Sequence, residues 1–296
     1  GDVYKRQESV PVSVNDRTRF IYEAACCGLR DFFVKNGYKK ACVGVSGGID
    51  SAVVACLAVA ALGAENVRGL MMPSQFSSEG SVEDAKQLAE NLGIEFHVVP
   101  ITEAYRSIVD TLIPVIGGTD FDATEENIQS RIRTLMLMAL QNKNGYVLLN
   151  CSNKSENALG ICTLYGDTGG AFSVTGDLYK TEMYDLARYI NRKFGAPIPE
   201  NILTKEPSSE LRPNQKDSDM LPSYEVVDAI LYRLIEDGQS REEIINAGFD
   251  SDEVQKIYAM VMRNEKKRFQ YPPVLRLSSS SFGHEYRMPL THKYVK

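Results

Sequence analysis

No apolar run in this sequence reaches the roughly 20 residues that a helical membrane span needs. No C-x-x-C pair occurs among Cys26, Cys27, Cys42, Cys56, Cys151 and Cys162, and three of these lie inside apolar strand or helix patterns. Buried, reduced thiols of a cytoplasmic protein are therefore expected, rather than a disulfide framework or a zinc site. The histidines His97, His284 and His292 lack metal-ligand spacing. His97, within IEFHVVPI, is expected to be packed or hydrogen-bonded. Positive charge is also short: 33 Lys and Arg against 39 Asp and Glu give a net charge of −6, which argues against a nucleic-acid-binding face. Internal repeats and low-complexity segments are absent. The opening GDVYKRQ has no apolar core and does not read as a signal peptide. It resembles the translation of a sequencing-library adaptor, so residues 1–7 are expected to be an artefact at a truncated start.

What is present suits a globular enzyme. The 296 residues, 43% of them apolar, can bury a sizeable core in one large domain or a domain with an appendage. Residues 16–36 carry Phe20, Ile21, Ala24, Ala25, Leu29 and Phe32-Phe33 at helical spacing. A strand is expected at Ala41–Val45, a helix from about Ser51 to Leu62 with Gly63 ending it, and a strand in VRGLMMP. Ser81 is expected to open the next helix, with Asp84 three residues on. IEFHVVPI then forms a third strand. A helix over 124–141 should face the core with Ile128, Ile132, Leu135, Met136 and Ala139, and YVLLN at 146–150 should be a fourth strand. Strand–helix alternation at this spacing predicts right-handed βαβ units and a parallel sheet. Beyond it come a glycine-rich, loop-rich stretch at 151–180, a helix at 181–193 and irregular chain at 197–222. Two or three helices over 223–263 precede an irregular basic tail. Residues 8–296 are thus expected to form one domain, with 223–296 its helical and irregular C-terminal part.

The segment ACVGVSGGIDSAVVACLAVAAL joins a buried strand to a buried helix through Ser46-Gly47-Gly48-Ile49-Asp50-Ser51. Two glycines let a backbone approach a ligand closely. The free N–H groups of a helix's first turn and the helix dipole favour an anion there. A tight Gly-Gly turn capped by Ser and Asp is the blander alternative. No lysine followed by Ser or Thr stands at the helix start, and Gly44, Gly47 and Gly48 do not have G-x-G-x-x-G spacing, so neither common phosphate-loop signature applies. The loop resembles the pyrophosphate loop of the N-type ATP pyrophosphatases, which cleave ATP between its α and β phosphates and activate a substrate as an adenylate. In that setting Asp50 makes sense: a carboxylate repels a polyphosphate unless Mg²⁺ lies between them.

Five further blocks follow in order: MPSQFSSEGSVEDA at 72–85, NIQSRIRTLMLM at 127–138, LLNCSNKSENALGICTLYGD at 148–167, DLYKTEMYDLARYIN at 177–191 and KEPSSELRPNQKDSD at 205–219. With the loop, they resemble the synthetase domain of the NAD synthetase family from about residue 17 to the end. The resemblance implies an α/β fold, a Rossmann-like parallel sheet flanked by helices (adenine nucleotide alpha-hydrolase-like), with a helical C-terminal extension. It implies ATP-dependent amidation of deamido-NAD by ammonia, with ATP and Mg²⁺ as cofactors and a two-fold dimer as the assembly. The same resemblance implies an ATP site of Gly44, Val45, Ser46, Gly47, Gly48, Ile49, Asp50, Ser51, Cys151, Lys180 and Ser208. Lys180 would supply the cation that the loop lacks, making Asp50 and Lys180 the catalytic pair. Asp50 and Glu156 would be metal ligands. Asn127, Arg131, Glu156 and Lys267 would contact deamido-NAD. Asn127 and Arg131 lie four apart on one helix face, whereas Arg133 could be a surface charge and Lys266 competes with Lys267. Glu156 has a second reading as a solvated glutamate at a helix start.

Two features depart from the family pattern. Cys151 stands where Thr is usual, and a thiol is the weaker hydrogen-bond partner. Leu164 and Ala171 stand where the ammonia-dependent branch carries Lys and Asp. These residues, with the tail PPVLRLSSSSFGHEYRMPL, favour the glutamine-dependent branch, in which a glutaminase domain precedes the synthetase. Nothing here matches a glutaminase Glu-Lys-Cys site, so that domain is expected to be missing upstream. A stand-alone ammonia-dependent enzyme, another ATP pyrophosphatase such as GMP synthetase, and a non-catalytic nucleotide-binding module remain as alternatives.

Overall fold

The computed structural model describes residues 14–117, 120–213 and 215–293, with side chains from Arg17 onward. The expectation for residues 1–7 lies outside the described residues. Along the chain run α1 (Val14–Asn36), β1 (Lys40–Gly44), α2 (Ile49–Leu62), β2 (Val67–Met71), α3 (Glu79–Leu92), β3 (Glu95–Val98), α4 (Thr102–Ile116), α5 (Ala123–Asn144) and β4 (Tyr146–Asn150). Then come α6 (Lys154–Leu159), β5 (Phe172–Ser173), α7 (Lys180–Phe194), α8 (Glu200–Thr204), α9 (Tyr224–Ile235), α10 (Arg241–Asn246), α11 (Ser251–Arg263) and α12 (Glu265–Arg268).

Among the described residues one sheet forms, with all strands parallel, in the order β3-β2-β1-β4-β5. Apolar strands need both faces covered, and two layers of helix do this. On one face α1, α2, α3 and α7 contribute Leu29, Phe33, Leu57, Leu88, Met183 and Leu186 to a single cluster. On the other face α4 and α5 cover Cys42, Leu70 and Leu148 with Ile128, Ile132 and Leu137. Helix α2 is buried nearly all round, as its run of Ala, Val and Leu requires. A third apolar cluster joins α6 to α9, α10 and α11. Chain continuing from β1 crosses to β2, and chain from β4 crosses to β5 on the opposite side. The loops after β1 and β4 therefore part, opening a crevice at the carboxyl ends of the two strands. No helix among the described residues is long and apolar enough to cross a membrane.

Several local expectations need correction. Ser78, not Ser81, caps α3, because its hydroxyl accepts the Ser81 N–H. On α5, Leu135 is 66% exposed and Ala139 is exposed, while Thr134 and Leu137 are buried. The contact face is rotated because α5 packs under β1 and β4 with α4 alongside. The 151–180 stretch contains α6 and β5. The C-terminal tail is irregular but anchored: Val274 bridges Ser173 in parallel fashion, and the Leu275 N–H donates to the Ser173 carbonyl. All six cysteines are free, and Cys26, Cys42 and Cys56 are buried while Cys27 is exposed. His97 sits on the edge strand, hydrogen-bonded to Glu95.

Candidate active site

The loop after β1 is held from three sides. The Val45 N–H donates to the Leu70 carbonyl at 2.8 Å. Ser51 Oγ accepts the Ser46 N–H at 3.1 Å and donates to the Gly48 carbonyl at 3.0 Å. Ser46 Oγ accepts the Gly48 N–H at 3.2 Å. The two serines thus set the shape of the loop. Gly47 has φ +78°, and a Cβ there would lie 2.2 Å from the Ser81 carbonyl oxygen, so glycine is required by conformation and by space. The first turn of α2 has Gly48 at its cap and no side-chain hydrogen bond there, which leaves N–H groups for an incoming anion.

Asp50, in that first turn, reaches across the crevice. Its Oδ2 is 2.5 Å from Lys180 Nζ at the start of α7, and its Oδ1 accepts from Asn153 Nδ2 at 2.9 Å. Glu156 Oε1 lies 3.7 Å from the same ammonium. Asn153 caps α6, and Glu156 returns the bond to the Asn153 N–H. Glu156 is thus both a helix-start glutamate and a member of this cluster. Burial pushes the Glu156 carboxyl well above the usual range, the charge of Asp50 adds to this, and Lys180 opposes it. Burial works against the charge on Lys180, yet Asp50 and Glu156 hold its pKa above the ordinary value. One ammonium faces two carboxyl groups.

These groups open on a cavity of about 330 Å³. Of the residues expected at the ATP site, Gly44, Val45, Ser46, Gly48, Ile49, Asp50, Ser51, Cys151, Lys180 and Ser208 line it, while Gly47 does not and is buried against Ser81. Glu156 lines it too, whereas Asn127, Arg131 and Lys267 do not. Those three converge on one neighbouring loop. Asn127 Oδ1 accepts from Thr163 Oγ1 at 2.6 Å, Arg131 Nε donates to the Leu164 carbonyl at 3.1 Å, and Lys267 Nζ donates to the carbonyls of Gly160 and Cys162. The inner side of that loop, at Cys162, Gly166 and Asp167, lines the cavity.

Sequence reasoning missed several residues of the cavity. Arg133 is not a surface charge: it lines the cavity, donates from Nε to the Met72 carbonyl at 2.9 Å, and burial lowers its pKa to about 10. Its spacing of six from Asn127 put it on another face of α5, which hid it. Asn153 was legible as the first residue of an N-x-x-E capping box, although its contact with Asp50 was not. Asp167 is raised to about 6 by burial, against the N–H of Thr163 and the hydroxyl of Ser130. Glu210, from the 205–219 segment, accepts from the hydroxyls of Ser78 and Ser81 and so closes that segment over the cavity.

Among the described residues no group of three or more His, Cys, Asp or Glu gathers as a metal cluster. Asp50 and Glu156 nevertheless fit a hard divalent cation: they are oxygen donors facing one cavity, with one positive charge between them, and a polyphosphate would complete the set.

A parallel sheet with a Gly-Gly loop, an acid and a distant lysine at its switch point defines an α/β protein of the adenine nucleotide alpha-hydrolase fold. The chain belongs to the NAD synthase family, whose sequence model matches residues 21–271. A glutamine-dependent NAD(+) synthetase of Aquifex aeolicus is 52% identical over 276 residues, covering 93% of this chain and 48% of that protein. The chain spans about half the length of the curated relatives it matches. Among solved structures, a glutamine-dependent NAD+ synthetase of Acinetobacter baumannii in complex with ADP is 40% identical, with TM-score 0.64, over 96% of this chain and 51% of that one. The NH3-dependent NAD synthetase of Campylobacter jejuni, in complex with nitrate, is 30% identical, with TM-score 0.67, over 84% of this chain and 95% of that one.

Proposed function

We propose that this chain converts deamido-NAD to NAD, with ATP as the activating co-substrate and ammonia as the nitrogen donor, releasing AMP and pyrophosphate. The observation that carries the reading is the Asp50–Lys180–Glu156 cluster beside the loop of Ser46 to Ser51. A carboxylate oxygen of the nicotinate group attacks the α-phosphorus of ATP, and pyrophosphate leaves. Ammonia then adds to the carbonyl of the mixed anhydride, and AMP departs with the oxygen that formed the bond. Both substrates are anionic, so the protein's task is to align them and neutralise charge as it develops. The first turn of α2 and Lys180 receive the leaving pyrophosphate. Asp50 and Glu156 would hold Mg²⁺, which when bound screens the phosphates from the two acids. Arg133 adds a cation from the opposite wall. Asn127, Arg131 and Lys267 position the 160–168 loop, and that loop is the wall that deamido-NAD would meet.

The names and lengths of the relatives support a reading of the nitrogen source. Those with glutamine-dependent names are about twice as long as this chain. We infer that a glutaminase domain upstream supplies ammonia in the intact protein, and that the synthetase pairs as a homodimer. Alone, the chain uses free ammonium, a reading supported by the NH3-dependent name of the Campylobacter enzyme. The test is direct: incubate the chain with ATP, Mg²⁺, ammonium and deamido-NAD and detect NAD by mass. NAD should form with ammonium and not with glutamine. Tight ATP binding with no product would favour a non-catalytic module, and amidation of xanthosine monophosphate would favour a GMP synthetase.

A further inference from the structure

Lys154 is two residues from Glu156 and one from Asn153, yet it faces away from the ATP cavity and is fully buried. Its ammonium lies 2.9 Å from Asp177 Oδ1 and donates to Glu236, to Ser278 Oγ at 2.7 Å and to the Ser280 carbonyl at 2.9 Å. The Tyr179 ring lies beside it, 5.1 Å from Nζ to the ring centroid. Asp177 in turn accepts the N–H groups of Leu277 and Ser278 at 2.8 and 2.7 Å, and the Ser278 hydroxyl at 2.9 Å. A single side chain of α6 therefore ties together the loop before α7, the end of α9 and the C-terminal segment 276–281. Helix α6 has only six residues, too few to hold its own orientation. Its other face places Asn153 on Asp50 and Glu156 beside Lys180.

We propose that the C-terminal segment 276–281 is a positioning element for the catalytic cluster, acting through Lys154. The proposal rests on the function inferred above only for its kinetic arm. Fixing Lys154 fixes the first turn of α6, and that turn sets where Asn153 and Glu156 meet Asp50 and Lys180. A second tie supports this geometry: Ser155 Oγ accepts the Lys180 N–H at 2.9 Å and donates to Asp228, whose other oxygen accepts the Thr181 N–H. The start of α6 and the start of α7 thus share one buried frame, and the tail closes it.

The test uses Ser278→Ala, which removes one acceptor from Lys154 and one donor to Asp177 while leaving both charges paired. Amide hydrogen exchange at residues 153–157 should quicken by at least about five-fold, the size expected if only one of the two buried hydrogen bonds lost with the hydroxyl reaches α6. The kcat for NAD formation should fall by a similar factor, with KM for ATP changed less than two-fold, because no residue lining the ATP cavity is substituted. Ser278→Thr should restore both. In a Lys154→Met background, Ser278→Ala should have no further effect. If Lys154→Met does not fold, the Ser278 pair decides alone. Unchanged exchange at 153–157 in Ser278→Ala, or a lowered melting temperature with kcat intact, would overturn the proposal. Absence of NAD from the unaltered chain would sink the assigned function instead, and the exchange arm would still decide this one.

Discussion

Lys180 Nζ sits 2.5 Å from Asp50 Oδ2, although 130 residues separate them in the chain. The pair joins the first turns of two helices that leave the sheet on the same face, and it places a cation where the glycine loop has none. Lys180→Met leaves the Asp50 carboxylate with no counter-charge. Removing one partner of such a buried pair costs about 3–5 kcal/mol. The urea midpoint should drop accordingly, and kcat/KM should fall at least about 100-fold, the loss typical of removing one charge-stabilising group. Lys180→Arg should recover part of the stability and little of the rate, because the planar fork does not fit a point-charge site.

Gly47 is the tightest position in the loop. Gly47→Ala forces a left-handed alanine against the Ser81 carbonyl oxygen at 2.2 Å. A strain of about 1–3 kcal/mol is expected, with the loop displaced from α3. Isothermal titration should show ATP affinity reduced far more than melting temperature would suggest, since the strain falls on the anion site itself.

Cys151 lines the cavity at the end of β4, and burial, with the charges of Asp50 and Glu156, pushes its thiol pKa well up. It therefore stays a neutral thiol. Cys151→Thr restores a stronger hydrogen-bonding group at the same wall. ATP should bind about five-fold more tightly, equivalent to about 1 kcal/mol for one gained hydrogen bond, as read by KM for ATP with kcat nearly unchanged.

Glu156 links stability to pH. Its carboxyl rises from 4.5 to about 8, chiefly by burial. Folding therefore raises this group's proton affinity, and its stabilising contribution is complete below pH 4.5 and is lost as pH climbs through about 8. The ATP-free chain should lose stability between about pH 5 and about pH 9, and Glu156→Gln should flatten that slope. A parallel decline in both proteins would assign the effect to other groups.

Arg133→Met tests the cavity wall opposite the loop. The guanidinium is held by the Met72 carbonyl and lines the cavity in which the proposed reaction would place its anionic substrates. Its loss should raise KM for at least one anionic substrate by about ten-fold, within the range for a lost charged hydrogen bond, with the melting temperature little changed.

The sheet was legible because its strands are short apolar runs bounded by turn residues, and helices such as α3 between them carry a clear apolar stripe. Helix α6 was not, since six residues give no periodicity, and only the N-x-x-E box marked its start. On α5 the apolar residues exceed what the contact face needs, so Leu135 and Ala139 were assigned inward and face solvent. The loop's chemistry could be read from Ser46 to Ser51 directly. Its pairing with Lys180 could not, because nothing local predicts which cation crosses the crevice; the family resemblance supplied that residue. The place of Arg133 in the cavity and the contact of Asn153 with Asp50 stayed hidden for the same reason, each being made only in three dimensions.

In the proposed reaction the substrate carboxylate attacks ATP at its α-phosphorus. Deamido-NAD carrying ¹⁸O in its nicotinate carboxylate, incubated with the chain, ATP, Mg²⁺ and ammonium, tests this in one experiment. AMP bearing one ¹⁸O, unlabelled pyrophosphate, and NAD retaining the other ¹⁸O in its amide are expected. Formation of ADP with the label in orthophosphate would contradict it.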